Sequence, residues 1–342
     1  MAQLDDDVKV NEINTLTANV PIKSLESEKI GFGAQSPDAT NCDLHSKGAL
    51  SKENYSVMSW IEKYPDCMVR LERLKIHESY AEWYNSEEFD DNAQVIDCVL
   101  KAALKDNENI LIFPYPDLVF NALNLTPLDE IKVVILGQDP YPSYELSKNP
   151  LRDSLRDPLG KSWDRKRKSE KIPSIIPQAM GLSFSVPLGF SIPSSLSNIY
   201  ANLLKFKHIE KMPNYGDLTS WANQGCLLLN STLTVECGKK NEHEYLYEDL
   251  TDDLIKFISN KTKNIVFVLW GAFAAKKQKL IDEKRHKILI SSHPSGLSCH
   301  KPMKNYPSFA EFDHFGEINL YLRAHCKTPI IWELDAPDVL IA

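Results

Sequence analysis

The 342-residue sequence predicts a three-layer α/β/α domain around a central, mostly parallel four-stranded sheet. Three observations carry that expectation. Four short apolar runs are dense enough in Val, Ile, Leu and Phe to be strands buried on both faces. Each run ends in a loop of polar residues or glycine. Helical spacing fills most of the intervals between them, as parallel pairing requires.

Along the chain, residues 1 to 57 are rich in Ser, Asn, Asp, Lys and Glu, with apolar residues scattered singly. No period is sustained there, so the reading is a disordered or loosely attached extension, either a plain tail or a docking segment for a partner. From Met58 aromatic and aliphatic residues become regular, and the folded domain is assigned to 58–342. Helical patterns precede Ile110–Pro116, where Pro114 and Pro116 enforce an extended, rigid path. Val133 to Leu136 form the first strand run. It stops at Gly137 and gives way to Gln138, Asp139 and Tyr141, held between Pro140 and Pro142.

Residues 143–177 interrupt the α/β pattern as an insertion with Pro150, Pro158, Pro173 and Pro177 and the charged run Asp164 to Lys171. Three readings compete for that run: a solvated loop, a contact to a nucleic-acid backbone, and a nuclear-localisation patch. Cys226–Leu229 then runs into Asn230. Leu246, Leu250, Leu254, Phe257 and Ile258 keep helical spacing. Asn264–Trp270 runs into Gly271 and Ala272, Ala274 to Glu283 reads as a basic helix, and Lys287–Ile290 leads into Ser291–Ser298.

Composition bounds the function classes. No stretch reaches the ~18 apolar residues of a membrane span. The start, Met1 to Asp7, lacks both the basic head and the apolar core of a signal peptide. Seven cysteines, an odd number with no C-x-x-C pair, argue against a disulfide framework and against a zinc or iron–sulfur site. They fit a reducing, intracellular compartment, and neither metal nor cofactor is expected. The net charge of −8 hides a split: residues 1–57 carry nine acids against five bases, whereas 143–180 carry nine bases against five acids. Phosphate contacts depend on where charge sits, so the total excludes little.

If the four strands are parallel, Asp139, Asn230, Gly271 and His293 gather along one edge of the sheet, past the strands' carboxyl ends, where open α/β sheets bind ligands. A carboxylate, an amide and an imidazole converging on one crevice form an active-site constellation. Each has a plainer reading when taken alone: Asp139 as a helix-capping residue, Asn230 as a cap, His293 as structural, Phe184 and Leu297 as core.

Four segments change those odds together. Gly137-Gln-Asp-Pro-Tyr141, Gly181-Leu-Ser-Phe-Ser-Val186, Leu227-Leu-Leu-Asn-Ser-Thr-Leu-Thr-Val235 and His293-Pro-Ser-Gly-Leu-Ser298 resemble, in order, the signature segments of the family-1 uracil-DNA glycosylases. Supporting matches stand at Gly216-Asp217-Leu218, Leu269-Trp270-Gly271, Lys284-Arg285-His286 and His314-Phe315, so the likeness covers residues 80 to 334 apart from the insertion.

The resemblance implies hydrolysis of the bond joining uracil to deoxyribose in DNA, by a monomer that flips the nucleotide from the stack. It implies Asp139 and His293 as the catalytic pair, the first for the cation-like sugar and its water, the second for the uracil anion. Asn230 would read the uracil edge, Tyr141 would exclude thymine's methyl group, Phe184 would stack on the base, and Gln138 would bind its oxygen side. Leu297 would wedge into the vacated stack, with Ser195, Ser295 and the Gly271–Ala272 turn at phosphates. The extension would then serve a replication or repair partner, in nucleus or cytoplasm, a virus-infected host cell included.

Three departures stand out. Pro142 replaces a histidine that contacts phosphate in many members, Ala272 replaces a frequent serine, and Gly296 replaces the more usual proline. Arg165, Lys166, Arg167 and Lys168 of the insertion are candidates to restore the lost phosphate contact. Two other readings stay open on the residues themselves: a non-catalytic DNA-binding or polymerase-accessory scaffold, and a nucleotide- or phosphate-binding α/β protein. The latter lacks a glycine-rich phosphate loop.

Overall fold

Strands with no alternation of polar and apolar residues need cover on both faces, and the sequence supplies amphipathic helices to provide it. The helix Glu87–Asp106 buries Phe89, Ala93, Ile96, Leu100 and Leu104, a three-and-four spacing that lines one face. Ser86 caps its start by accepting the Phe89 N–H at 3.1 Å, beside Glu87, Glu88 and Asp90 in the first turn. The helix packs against a second long one, Glu244–Lys261, which buries Leu246, Leu250, Leu254, Ile255 and Ile258.

In the computed structural model, residues 50–52, 55–107, 110–146 and 174–334 are described. Their strands are β1 (Ile112–Phe113), β2 (Val133–Gly137), β3 (Tyr144–Leu146), β4 (Ile175–Pro177), β5 (Cys226–Asn230), β6 (Val235–Glu236), β7 (Val266–Trp270) and β8 (Lys287–Ser291). The central sheet has the order β5-β2-β7-β8, and all three pairings are parallel. Every residue of β2 and β7 is buried, as the apolar runs require. Gly137 pairs with Asn230, Leu136 with Leu269 and Trp270 with Ser291, so the four strand ends that carry the loops finish at one level. No helix among the described residues is long and apolar enough to cross a membrane.

Three expectations need correction. Packing begins before Met58: Lys52 N–H donates to the Leu188 carbonyl at 3.2 Å, Leu188 N–H to the Leu50 carbonyl at 2.8 Å, and Val57 is buried. Tyr55 lies against the Ile176, Val186 and Phe190 cluster. Isolated apolar residues gave no period there, because this segment is held by backbone pairing rather than by a helical face. The insertion is rooted in structure at both ends, since β3 and β4 pair antiparallel with Leu146 opposite Ile175 and Tyr144 opposite Pro177. Residues 147–173, with the basic run, lie outside the described residues, as does most of the N-terminal extension. The basic helix expected over 274–283 begins earlier and tightens sooner: an α-helix spans Gly271–Ala275 and a 3-10 helix Lys276–Leu280. Lys277, one of the residues that make the segment basic, is buried and paired with Asp252.

Candidate active site

Two glycines show how closely the loops approach one another. A side chain at Gly137 would meet the Asn230 Oδ1 atom at 2.2 Å and the Ser183 Cβ at 2.7 Å, so the last residue of β2 must be small for the Asn230 amide to cross it. Gly271 has φ +91° and lies under His293, whose Cβ a side chain there would meet at 3.0 Å. The chain therefore turns directly from β7 into a helix beneath the imidazole.

Asp139, Tyr141, Phe184 and Asn230 line one narrow recess together with Pro140 and Ala179–Leu182. The Tyr141 hydroxyl donates to the Phe184 carbonyl at 3.3 Å, tying the two aromatic walls together. Phe184 holds φ +64°, a left-handed conformation unusual for an aromatic residue and a mark of a constrained site. Its ring lies edge-on to Trp270 at 5.6 Å and 6.1 Å from the His293 ring. His293 lines an adjoining cavity of about 320 Å³ with Gly137, Gln138, Gly271, Ala272 and Ser295.

The two candidate catalytic groups are held in opposite ways. Ser295 N–H donates to His293 Nδ1 at 3.0 Å, and burial lowers the imidazole pKa. A ring nitrogen that accepts cannot carry the proton, so the neutral ring presents Nε2–H. Asp139 has its carboxyl pKa raised by burial. The Asn241 N–H, donating to Oδ2 at 3.2 Å, and the Lys240 charge oppose that rise, while Glu244 adds to it.

Residues 123–315 match the Uracil DNA glycosylase superfamily. A probable uracil-DNA glycosylase of Acanthamoeba polyphaga mimivirus is 37% identical over 296 residues, covering 83% of this chain and 72% of that protein. The uracil-DNA glycosylase of Campylobacter concisus is 39% identical over 269 residues, 78% of this chain and 98% of its own. The crystal structure of mimivirus uracil-DNA glycosylase superposes with a TM-score of 0.72 at 36% identity, covering 86% of this chain and all of that one. The chain belongs to the uracil-DNA glycosylase superfamily.

Not every residue expected at the glycosylase site lines those two cavities. The Gln138 side-chain amide is turned away, donating to Asn241 Oδ1 at 3.2 Å and to Glu244 Oε2 at 3.4 Å. Ser195 stands in the first turn of the helix Ser194–Lys205 and lines neither cavity. Leu297 is 87% exposed at the tip of the 293–298 loop. Pro142 is buried and its carbonyl accepts the Gly238 N–H at 3.0 Å, so this glycosylase holds that position inward.

Sequence reasoning missed the residues that hold these loops. Asn198 donates to the Pro294 carbonyl at 2.7 Å, fixing the His293 loop to a neighbouring helix. Ser292 Oγ donates to the Ser298 carbonyl at 3.0 Å and accepts the Phe309 N–H at 2.9 Å, closing the same loop at its base. Ser292 flanks the end of β8, which was its only available signal, and Asn198, inside the helix Ser194–Lys205, offered none.

Proposed function

We propose that Asp139 and His293 cleave the glycosidic bond while Asn230, Tyr141 and Phe184 select the base. The chain is a uracil-DNA glycosylase: it hydrolyses the N-glycosyl bond of uracil in DNA, as the first step of base-excision repair. The observation that carries the assignment of roles is the opposite protonation logic of the pair, a neutral Nε2–H donor at His293 and a carboxylate supported by the Asn241 N–H and Lys240 at Asp139.

As the C1′–N1 bond breaks, its electron pair leaves with uracil and the sugar becomes cation-like. His293 Nε2–H donates to the developing anion at O2, and the Asp139 carboxylate stabilises the cation and orients the water whose oxygen bonds to C1′. The water's proton passes to Asp139 or solvent, and the uracil anion is protonated on release. Asn230 offers one donor and one acceptor, which suits the N3–H and O4 edge of uracil and mismatches cytosine's amino group. Tyr141 stands against C5, where thymine's methyl would clash, and Gln138 contributes backbone groups, since its amide is engaged elsewhere.

Leu297 serves as the wedge, its exposure leaving it free to enter the stack. Ser195, Ser295 and the Gly271–Ala272 backbone take phosphates, helped by the basic run of the insertion. The enzyme acts as a monomer in a reducing compartment, nucleus or cytoplasm, with the N-terminal extension available to a replication or repair partner.

The test is uracil release from a uracil-containing oligonucleotide by the native chain and by Asp139→Asn and His293→Leu. Release by the native chain, with large losses in both variants, is expected. Activity retained by either variant removes that residue from its role. No release from single- or double-stranded substrate favours the scaffold reading.

A further inference from the structure

Asp139 and Gln138 sit in a loop with no secondary structure of its own, so something must fix them. The Thr232 N–H holds the Gln138 carbonyl at 2.9 Å and Glu244 accepts from the Gln138 amide at 3.4 Å, but the turn after β6 reaches both residues. Gly238 N–H donates to the Pro142 carbonyl at 3.0 Å, and Asn241 N–H donates to Asp139 Oδ2 at 3.2 Å. Asn241 Oδ1 accepts from Gln138 Nε2 at 3.2 Å. Asn241 itself holds φ +62°, the left-handed conformation that asparagine tolerates better than most residues. That conformation lets one residue aim its N–H at the carboxylate and its side-chain oxygen at the amide. The turn is anchored beyond it, where His243 Nδ1 and Thr234 Oγ1 are 2.9 Å apart in the core.

We infer that Asn241 is a positioning residue for the hydrolysis, holding the Asp139 carboxylate and the Gln138 amide in register from a left-handed turn. The inference rests on the assignment of Asp139 proposed above. Lys240, Glu244 and the Tyr141 phenol are the titratable groups that bear on the same carboxyl, one favouring its charge, one opposing it and one neutral. A hydrogen bond donated to the charged form adds to the Lys240 effect and opposes the rise that burial imposes on Asp139.

The experiment measures the pH dependence of kcat/KM for uracil release by the full chain and by Asn241→Asp, Asn241→Gly and Asn241→Ala. Asn241→Asp preserves the acceptor for Gln138 but sets a negative charge beside Asp139. Its acid limb should move up by about one pH unit, a tenfold loss on the acid side. Asn241→Gly keeps the left-handed N–H, so its limb should stay in place while kcat/KM falls as Gln138 is left with the longer bond to Glu244 alone. Asn241→Ala is strained at this φ and should displace the limb upward as the N–H leaves the carboxylate.

A folded Asn241→Asp with the wild-type limb overturns the inference. Should that variant not fold, identical limbs in the Ala and Gly variants overturn it. Failure of the parent reading looks different: the wild-type chain releases no uracil, or Asp139→Asn keeps the wild-type rate and limb.

Discussion

Substituting Gly137 by alanine should cripple the enzyme without unfolding it. The added methyl would fall 2.2 Å from Asn230 Oδ1 and 2.7 Å from Ser183 Cβ, against about 3.2 Å for the tightest ordinary carbon–oxygen contact. Ser183 cannot give way, because its N–H donates to the Leu228 carbonyl at 2.9 Å and its hydroxyl to the Ile135 carbonyl at 3.2 Å. Asn230 yields instead, since nothing among the described residues ties its side-chain amide down. Its amide must retreat by about 1 Å, and a misplacement of that size costs on the order of 100-fold in rate, or about 2.7 kcal/mol of transition-state stabilisation. Overpacking adds roughly 1–3 kcal/mol of lost stability, well within what a domain of this size tolerates. Steady-state kcat/KM on a uracil-containing oligonucleotide, with thermal unfolding in parallel, measures both. A double-mutant cycle isolates the cause. If the methyl acts only through the amide, Gly137→Ala adds nothing to the loss already caused by Asn230→Ala. Additive losses, or a Gly137→Ala enzyme within about twofold of wild type, would refute the reasoning.

Three further outcomes follow from the same geometry. Leu297→Ala should leave the unfolding midpoint unchanged, because the side chain is 87% exposed. It should slow release from duplex DNA roughly tenfold to a hundredfold, the flipping cost of a few kcal/mol losing its wedge, while single-stranded substrate reacts normally; equal losses on both remove the wedge role. Burial raises the Asp97 carboxyl from 3.8 to about 7, despite the Leu71 N–H it accepts at 3.0 Å. The native state therefore binds the extra proton between those values, and stability falls as pH rises through that window. Asp97→Asn should raise the urea midpoint at pH 8, with the gain shrinking as pH falls toward 4; a gain independent of pH rules this origin out. His293 should show a protonated Nε2 and a bare Nδ1 in ¹⁵N spectra at pH 7, and its removal should lower the rate without moving the acid limb set by Asp139.

The sheet was legible because burial on both faces leaves its mark in composition. Val133–Leu136 and Ile265–Trp270 are continuous apolar runs, and the strands they hold, Val133–Gly137 and Val266–Trp270, are buried at every residue. The candidate site residues could be placed for a related reason: Asp139, Asn230 and His293 each stand at or just past such a run, and parallel pairing brings those strand ends to one level. What stayed hidden depends on contacts between segments distant in sequence. Leu50–Lys52 joins the fold through backbone bonds to Leu188, which no side-chain pattern reports. Gln138 belongs to the catalytic loop, yet its amide faces Asn241, about a hundred residues on in the chain. Asn198 and Ser292 likewise secure the His293 loop through carbonyl groups that any sequence would provide.

The crevice treats the two groups proposed for catalysis unequally, and that inequality accounts for the surrounding polar residues. Withdrawing a site from water disfavours charge. For His293 this is an advantage, since a neutral imidazole can donate Nε2–H to an anion without first losing a proton, and one backbone N–H from Ser295 suffices to hold it so. For Asp139 the same withdrawal opposes the form the chemistry needs. Its carboxylate therefore requires donors and positive charge, which come first from the turn carrying Asn241 and Lys240, with its own backbone N–H adding a smaller share. Burial thus favours the neutral histidine directly and demands a second segment to support the charged aspartate. That requirement gives the turn after β6 a reason to be fastened to the 138–142 loop at three points: the Pro142 carbonyl, the Asp139 carboxylate and the Gln138 amide.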